Sequence, residues 1–148
     1  MGGPTKYYDY STTNIKHIFS IFYKLLKKKD FQLVVIPSMR TPLNTIHYAK
    51  EFFGENHTVI MNVDKKAYLS ALALSENIIV TCDSSSMISE AALTGKPIYI
   101  ANILPKKNDI RFQRFRNLFR ELNITRNLGE DMENWSYQSL DETNRVAK

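Results

Sequence analysis

The chain has a single cysteine, Cys82, and no apolar run near the roughly 20 residues that a membrane span requires. One cysteine excludes a disulfide framework within the chain and fits a reducing cytosol, so a cytoplasmic protein is expected. The first residues, Met-Gly-Gly-Pro-Thr-Lys, contain no apolar stretch of the kind a signal peptide needs. There is no internal repeat and no low-complexity linker. The glycine fingerprint of dinucleotide-binding folds and the Walker lysine motif are both absent, which argues against a dinucleotide oxidoreductase and an NTPase. His17, His47 and His57 stand apart without metal-ligand spacing. No carboxylate pair signals glycoside hydrolysis. Neither a metal nor a cofactor is expected.

What is present suits one domain. The 148 residues are 43% hydrophobic, enough for a packed α/β core. The formal net charge is +5 and the pI about 9.3. The cations cluster at Lys27–Lys29 and between Lys106 and Arg120. Such charge favours phosphates, acidic lipid surfaces or nucleic acid, or is simply a solvated face.

Strand-like and helix-like segments alternate, the pattern of a parallel sheet covered by helices on both faces. Ser11 to Asn14 offer a helix cap, and Ile15, Ile18, Phe19, Phe22, Leu25 and Leu26 follow at helical spacing. Lys27, Lys28 and Lys29 close that helix, where positive charge suits the dipole. Phe31 to Ile36 reads as a buried strand. Thr41-Pro42 opens a second helix, with proline at its first position, an apolar face of Leu43, Ile46, Ala49, Phe52 and Phe53, and Gly54 as its stop. Thr58 to Met61 is the second strand. Asp64 opens a helix carrying Ala67, Tyr68, Ala71 and Leu72. Ile78 to Thr81 is the third strand and Ile98 to Ala101 the fourth, with a serine-rich loop and a short helix between them that Gly95 and Pro97 end. A last helix shows Phe112, Phe115, Phe119 and Leu122 on one side. The tail after Gly129 is polar and aperiodic and is expected to be poorly ordered.

These segments predict a four-stranded, Rossmann-like parallel sheet in the order 57–61, 31–37, a gap or direct contact, 77–82, 97–101. Gly2-Gly3 looks like a phosphate-side turn with no strand before it. In a doubly wound sheet the first strand lies mid-sheet. The chain therefore reads as lacking its first strand, and strands 31–37 and 77–82 are expected to have unpaired edges or to pair abnormally with each other.

Chemistry concentrates between Thr81 and Pro97, where a strand end meets a helix start. Ligands of open α/β sheets bind at such ends. Free amides and the helix dipole make the helix start an anion site, and Ser84, Ser85 and Ser86 add hydroxyls without bulk. Glu90 follows about one turn in. A capping box would need Met87 as cap, which methionine cannot be. Glu90 is left either to favour the helix start or to accept two hydroxyls of a ribose. Asp83 either caps the loop or binds a metal. Cys82 reads as a buried thiol rather than a nucleophile. Arg111 to Arg116 interleaves basic and aromatic residues as RNA-binding surfaces do, but the helical spacing of the phenylalanines makes core packing the simpler account.

The run Thr81–Pro97, with Gly2-Gly3-Pro4-Thr5-Lys6 and Ser38-Met39-Arg40-Thr41-Pro42, resembles the mitochondrial-fission-protein-like family over residues 1–128. Its bacterial members are described as nucleoside-diphosphate-sugar glycosyltransferases. The strand, serine loop and glutamate-bearing helix are similar to the donor site of GT-B enzymes such as the peptidoglycan N-acetylglucosaminyltransferase. The resemblance implies that residues 1–128 form the nucleotide-sugar-binding, C-terminal domain of a GT-B fold, followed by the polar tail 129–148. It implies that Gly2 and Gly3 let backbone approach the diphosphate, that Ser38 and Arg40 face the same phosphates, that Ser84, Ser85 and Ser86 hold phosphate, and that Glu90 holds the ribose. Simpler readings are a flexible terminus for the glycines and a loop arginine for Arg40. Met39 departs from the family, where a second arginine is expected, and Cys82 stands where a small residue is common.

The function so implied is the donor-binding half of a glycosyltransferase moving sugar from a nucleoside-diphosphate sugar to an envelope glycan acceptor, inactive by itself. The implied partner is a separately encoded N-terminal domain, which would bring the catalytic base. A split-gene remnant or protein-interaction adaptor is the alternative. Peripheral contact with an acidic membrane at its inner face is a third expectation, and nucleic-acid binding the least favoured.

Overall fold

The computed structural model describes residues 1–28, 30–129 and 132–139. Lys29 and the tail residues 130, 131 and 140–148, which figure in the sequence expectations, lie outside the described residues. Ten elements follow in order: α1 (Thr12–Lys28), β1 (Val34–Val35), α2 (Leu43–Phe53), β2 (Thr58–Val59), α3 (Lys65–Leu74), β3 (Ile78–Thr81), α4 (Ser85–Ala92), β4 (Ile98–Ala101), α5 (Ile110–Glu121) and β5 (Thr125–Asn127).

The architecture is α/β and Rossmann-like, with parallel strands in two small sheets. β1 pairs with β2; β3, β4 and β5 form the other sheet in that order. Each parallel pair is joined through a helix, because parallel neighbours need a crossover connection. All four residues of β4 are buried, so both its faces are covered.

Two differences from the expected sheet stand out. The strands read at 31–36 and 58–61 shorten to two residues each, and a fifth strand, β5, lies beside β4. β5 is Thr-Arg-Asn at a sheet edge, so it carries no apolar run to betray it. The gap left open in the expected order is real: among the described residues no ladder joins β1 to β3. The N-terminal residues Met1 and Gly2 bridge it instead. The Met1 ammonium donates to the Ile36 carbonyl at 2.7 Å, and the Gly2 amide donates to Thr81 Oγ1 at 2.8 Å.

Helix packing follows the periodicity closely in α1. Ile15, Ile18, Phe19, Phe22 and Leu25 are buried, and the Ser11 hydroxyl accepts from the Asn14 amide as a cap. Phe19 stacks on Tyr48 at 5.3 Å and meets Phe53 edge-on at 5.0 Å. The other helices differ from expectation at their margins. Pro42 is the residue before α2 rather than its first. Leu43 is exposed, and Thr45 takes an inward position. Leu122 is exposed as well, leaving Phe119 as the buried anchor of α5 with Phe112 and Phe115 half-buried. In α3 no residue is fully buried. Asp64 caps its start by accepting from the Ala67 amide, and Lys96 Nζ donates to the Leu72 and Ala73 carbonyls at its end, both at 2.6 Å. Gly95 takes φ +75°, which turns the chain from α4 toward β4.

Residues 132–139 of the tail pack against the domain, unlike the loose tail expected from composition. Tyr99 Oη donates to the Glu133 carbonyl, Trp135 Nε1 to the Asn123 carbonyl and Tyr137 Oη to the Lys96 carbonyl. Arg126 lies 4.1 Å over the Trp135 ring. Trp135 and Tyr137, spaced two apart, let this polar segment pack onto the second sheet without forming a strand.

Candidate functional site

β3 ends at Thr81, and the chain turns through Cys82, Asp83 and Ser84 into α4. Ser84 is the residue before α4 and is buried; Ser85 is half-buried and Ser86 exposed. The first amides of α4 point off the carboxyl end of β3, the position where a helix start can take an anion. With Ser84 as cap, the third helical residue is Met87, so Glu90 belongs to no capping box. Glu90 is exposed and accepts from Tyr68 Oη of α3 at 2.6 Å. Burial, then the neighbouring carboxylate, raises the Tyr68 pKa, so this hydroxyl keeps its proton and its donor role.

Asp83 is the hub beneath the loop. Its side chain is fully buried and accepts from the Gly3 amide at 3.0 Å, Tyr10 Oη at 2.6 Å and Arg40 Nη2 at 3.2 Å. Its observed partners are therefore a backbone amide, a phenol and a guanidinium. Having given its proton to Asp83, Tyr10 Oη accepts from the Thr81 hydroxyl at 2.9 Å, and burial followed by the Asp83 charge raises its pKa.

The sequence-expected residues divide into two groups. Gly2, Gly3 and Arg40 meet at Asp83, and Ser38 joins them through Thr41. Ser38 Oγ lies 3.2 Å from Thr41 Oγ1, and Thr41 Oγ1 donates to the Gly2 carbonyl at 2.6 Å. Arg40 Nη1 donates to the Gly3 carbonyl at 3.2 Å. The glycines are required by proximity: a Cβ on Gly2 would sit 2.0 Å from Asp83 Oδ2, and one on Gly3 would sit 2.0 Å from the Arg40 carbonyl oxygen. Their amides already donate to Thr81 and Asp83. The second group, Ser84 to Ser86 and Glu90, lies along α4, with Glu90 turned toward α3. The Arg40 side chain is 45% exposed, which leaves it open to a ligand while Asp83 orients it.

Spacing in the sequence did not reveal a second cluster on the other flank of the loop. Tyr8 Oη donates to Asp109 Oδ2, Gln113 Nε2 donates to Asp109 Oδ1 at 2.6 Å, and Arg116 pairs with Asp109 at 3.4 Å. Burial works to raise the Asp109 pKa, but the hydrogen bonds from Tyr8, Gln113 and Arg116 outweigh it and hold the carboxyl below its usual range. Arg116 Nη1 also donates to the Cys82 carbonyl at 3.1 Å, tying this cluster to the β3–α4 turn. Cys82 is buried, and desolvation raises its pKa, so it is a neutral thiol rather than a nucleophile. Asp109 precedes α5 as a cap would, yet makes no side-chain cap bond. The one signal available was the pair Tyr8 and Tyr10, two apart in an extended stretch and both buried. Beside Arg116 opens a cleft of about 740 Å³ lined by His17, Asn102, Asn117 and Arg120 among others.

Comparison with known proteins places this geometry in a family. The Arabidopsis thaliana mitochondrial fission protein ELM1 is 34% identical over 115 residues, which cover 74% of this chain and 26% of that protein. An uncharacterised protein of Rickettsia prowazekii (strain Madrid E) is 28% identical over 158 aligned positions, covering 100% of this chain and 44% of that one. The chain thus spans less than half the length of either relative. No solved structure matches it. The family profile described as Mitochondrial fission ELM1 matches residues 1–148, and the chain belongs to that family.

Proposed function

We propose that this chain is the donor-binding half of a glycosyltransferase that uses a nucleoside-diphosphate sugar. The observation that carries the proposal is the arrangement at the carboxyl end of β3: a serine-rich helix start beside a half-exposed Arg40 that Asp83 holds in place. Charge develops on the diphosphate when the glycosidic bond to it breaks. Helix amides and a guanidinium stabilise such charge without a metal. Glu90, exposed on α4 with Tyr68 orienting it, would accept the ribose hydroxyls. Gly2 and Gly3 pack tightly enough to seat Arg40 against the loop, and Ser38 supports Thr41 there. The cleft beyond Arg116 offers the carboxamides of Asn102 and Asn117 to a hydroxyl-rich group. The acceptor site and the base would come from another domain.

Titration calorimetry with UDP, GDP and CMP tests the proposal. One nucleotide should bind saturably, and Glu90→Ala should weaken it by roughly 10- to 100-fold, the effect of losing a charged hydrogen-bond acceptor. A folded protein that binds none of the three at millimolar concentration sinks it. A second reading, a protein-interaction adaptor, is favoured by α3, which exposes Leu69 and Leu74 and fully buries none of its residues. It gains if nucleotide binding fails.

A further inference from the structure

The shoulder of α5 turned away from the cleft has no role in the proposed donor site. Ile110, Arg114, Leu118 and Leu122 follow one another at four-residue spacing and are exposed, Ile110 at 47% and the two leucines at 52% each. Arg111 stands beside them. The loop before the helix adds exposed Lys106 and Lys107. Lys6 joins them, because the Lys106 amide donates to the Tyr7 carbonyl at 2.7 Å and Tyr8 bridges to Pro105. Five cations and three aliphatic side chains therefore share one surface. Its carboxylates are few: Asp109 is buried and engaged, Asp9 is half-buried, and the exposed Glu121 stands beside Leu122 at the far end of the helix, one anion against five cations.

We infer that this surface docks on an acidic lipid bilayer, with the aliphatic stripe entering the headgroup boundary and the cations against lipid phosphates and carboxylates. Three observations carry the assignment. First, the charge does not serve the helix. The first turn of α5 holds no acidic residue, and Arg111 stands where the dipole favours a carboxylate. Second, aliphatic and cationic residues on one exposed helix face are the composition that partitions into an acidic interface. Third, the aromatics that single-stranded nucleic acid would need for stacking are turned inward. Phe112 packs on Tyr7 at 5.0 Å and near Tyr8 at 6.2 Å, and Phe115 packs on Phe119 at 4.7 Å. Among the described residues no helix is long and apolar enough to cross a membrane, so the contact is with its surface.

Co-flotation of the full chain with phosphatidylcholine vesicles, with and without phosphatidylserine, tests this. The protein should float only with phosphatidylserine vesicles, and added salt should release it. Arg111→Gln with Arg114→Gln should lower partitioning by roughly 30-fold, given the contribution of each cation near an acidic surface. Lys65→Gln with Lys66→Gln removes the same charge from α3 and should leave binding unchanged. Thermal melting of both variants should match the parent, since all four side chains are exposed. Equal loss in the two double variants would reduce the effect to net charge and overturn the surface. Flotation with phosphatidylcholine alone, no flotation at all, or binding to oligouridylate that depends on Arg111 and Arg114 without vesicle binding would overturn it too.

Discussion

Two buried aspartates meet at the β3–α4 turn, Asp83 within it and Asp109 to one side, and each grips a tyrosine and an arginine. Asp83 holds Tyr10 and Arg40; Asp109 holds Tyr8 and Arg116. The residue types are the same and the consequences differ. The Arg116 side chain is 15% exposed, with its donors turned to Tyr8, Asp109 and the Cys82 carbonyl. The Arg40 side chain is 45% exposed and contacts Asp83 from one side. A triad of this composition is a structural rivet when its cation is enclosed, and a presented ligand group when its cation reaches solvent. Exposure of the guanidinium, not the identity of the carboxylate, decides which.

Mutation can break that contrast. Asp109→Ala should have the largest effect, about 3–5 kcal/mol, because it strands a buried guanidinium and a buried phenol. Chemical denaturation measures it, and a loss below that of Asp83→Ala would refute the division. Gly2→Ala comes next. Its Cβ would collide with the Asp83 carboxylate and should cost about 1–3 kcal/mol by overpacking. Thermal melting checks this, with Gly129→Ala, which meets nothing within 4 Å, as the neutral control. Acidification should follow in size. Burial lowers the Met1 ammonium from 8.0 to about 6, with Asp83 opposing the shift. A base with a depressed folded pKa is neutral in the fold and protonated in the unfolded chain between those values. For the chain with a free Met1 amine, stability is therefore full above pH 8 and falls as pH drops toward 6, by on the order of 2 kcal/mol. The lowered Asp109 carboxyl adds a further loss only below the ordinary carboxylate range. Denaturant midpoints across this pH range, compared with an N-acetylated chain, isolate the first effect. Arg40→Ala should cost least in stability, about 1 kcal/mol, because the lost cation is half-exposed and the buried Asp83 keeps the Gly3 amide and Tyr10 Oη as partners. If nucleotide binding weakens in Arg40→Ala while its melting point holds, the presented role is sharpened; a large melting loss would make Arg40 a rivet as well.

Sequence periodicity was sufficient where one face of an element is buried. The inward positions of α1 were readable from Ile15 to Leu25, and β3 and β4 were readable as apolar runs. It failed where pairing depends on an edge or on distance along the chain. β5 has only Thr-Arg-Asn to show. Tyr8 and Arg116 meet across 108 positions, and no local pattern encodes that. The serine run before α4 and the outward Glu90 were legible because a helix start and its spacing are local properties. The clustering of Ser38, Arg40 and the two glycines came from family resemblance rather than from spacing, and Asp83, the partner of Arg40 and Gly3, became visible only through contacts 43 and 80 positions apart.

The seam between β1 and β3 has a mechanical consequence. A ladder between strands resists shear through evenly spaced backbone bonds. Here the two sheets are joined at that seam by a few polar stitches at Met1, Gly2, Gly3 and Thr41, clustered at one end. Both sheets share one apolar core, so the clasp makes that end the pivot for small relative motion, and amide exchange should be faster across the two-residue strands β1 and β2 than across β4. Whatever moves Arg40 or Asp83 therefore acts at the pivot, where a small displacement has the longest lever over the rest of the domain.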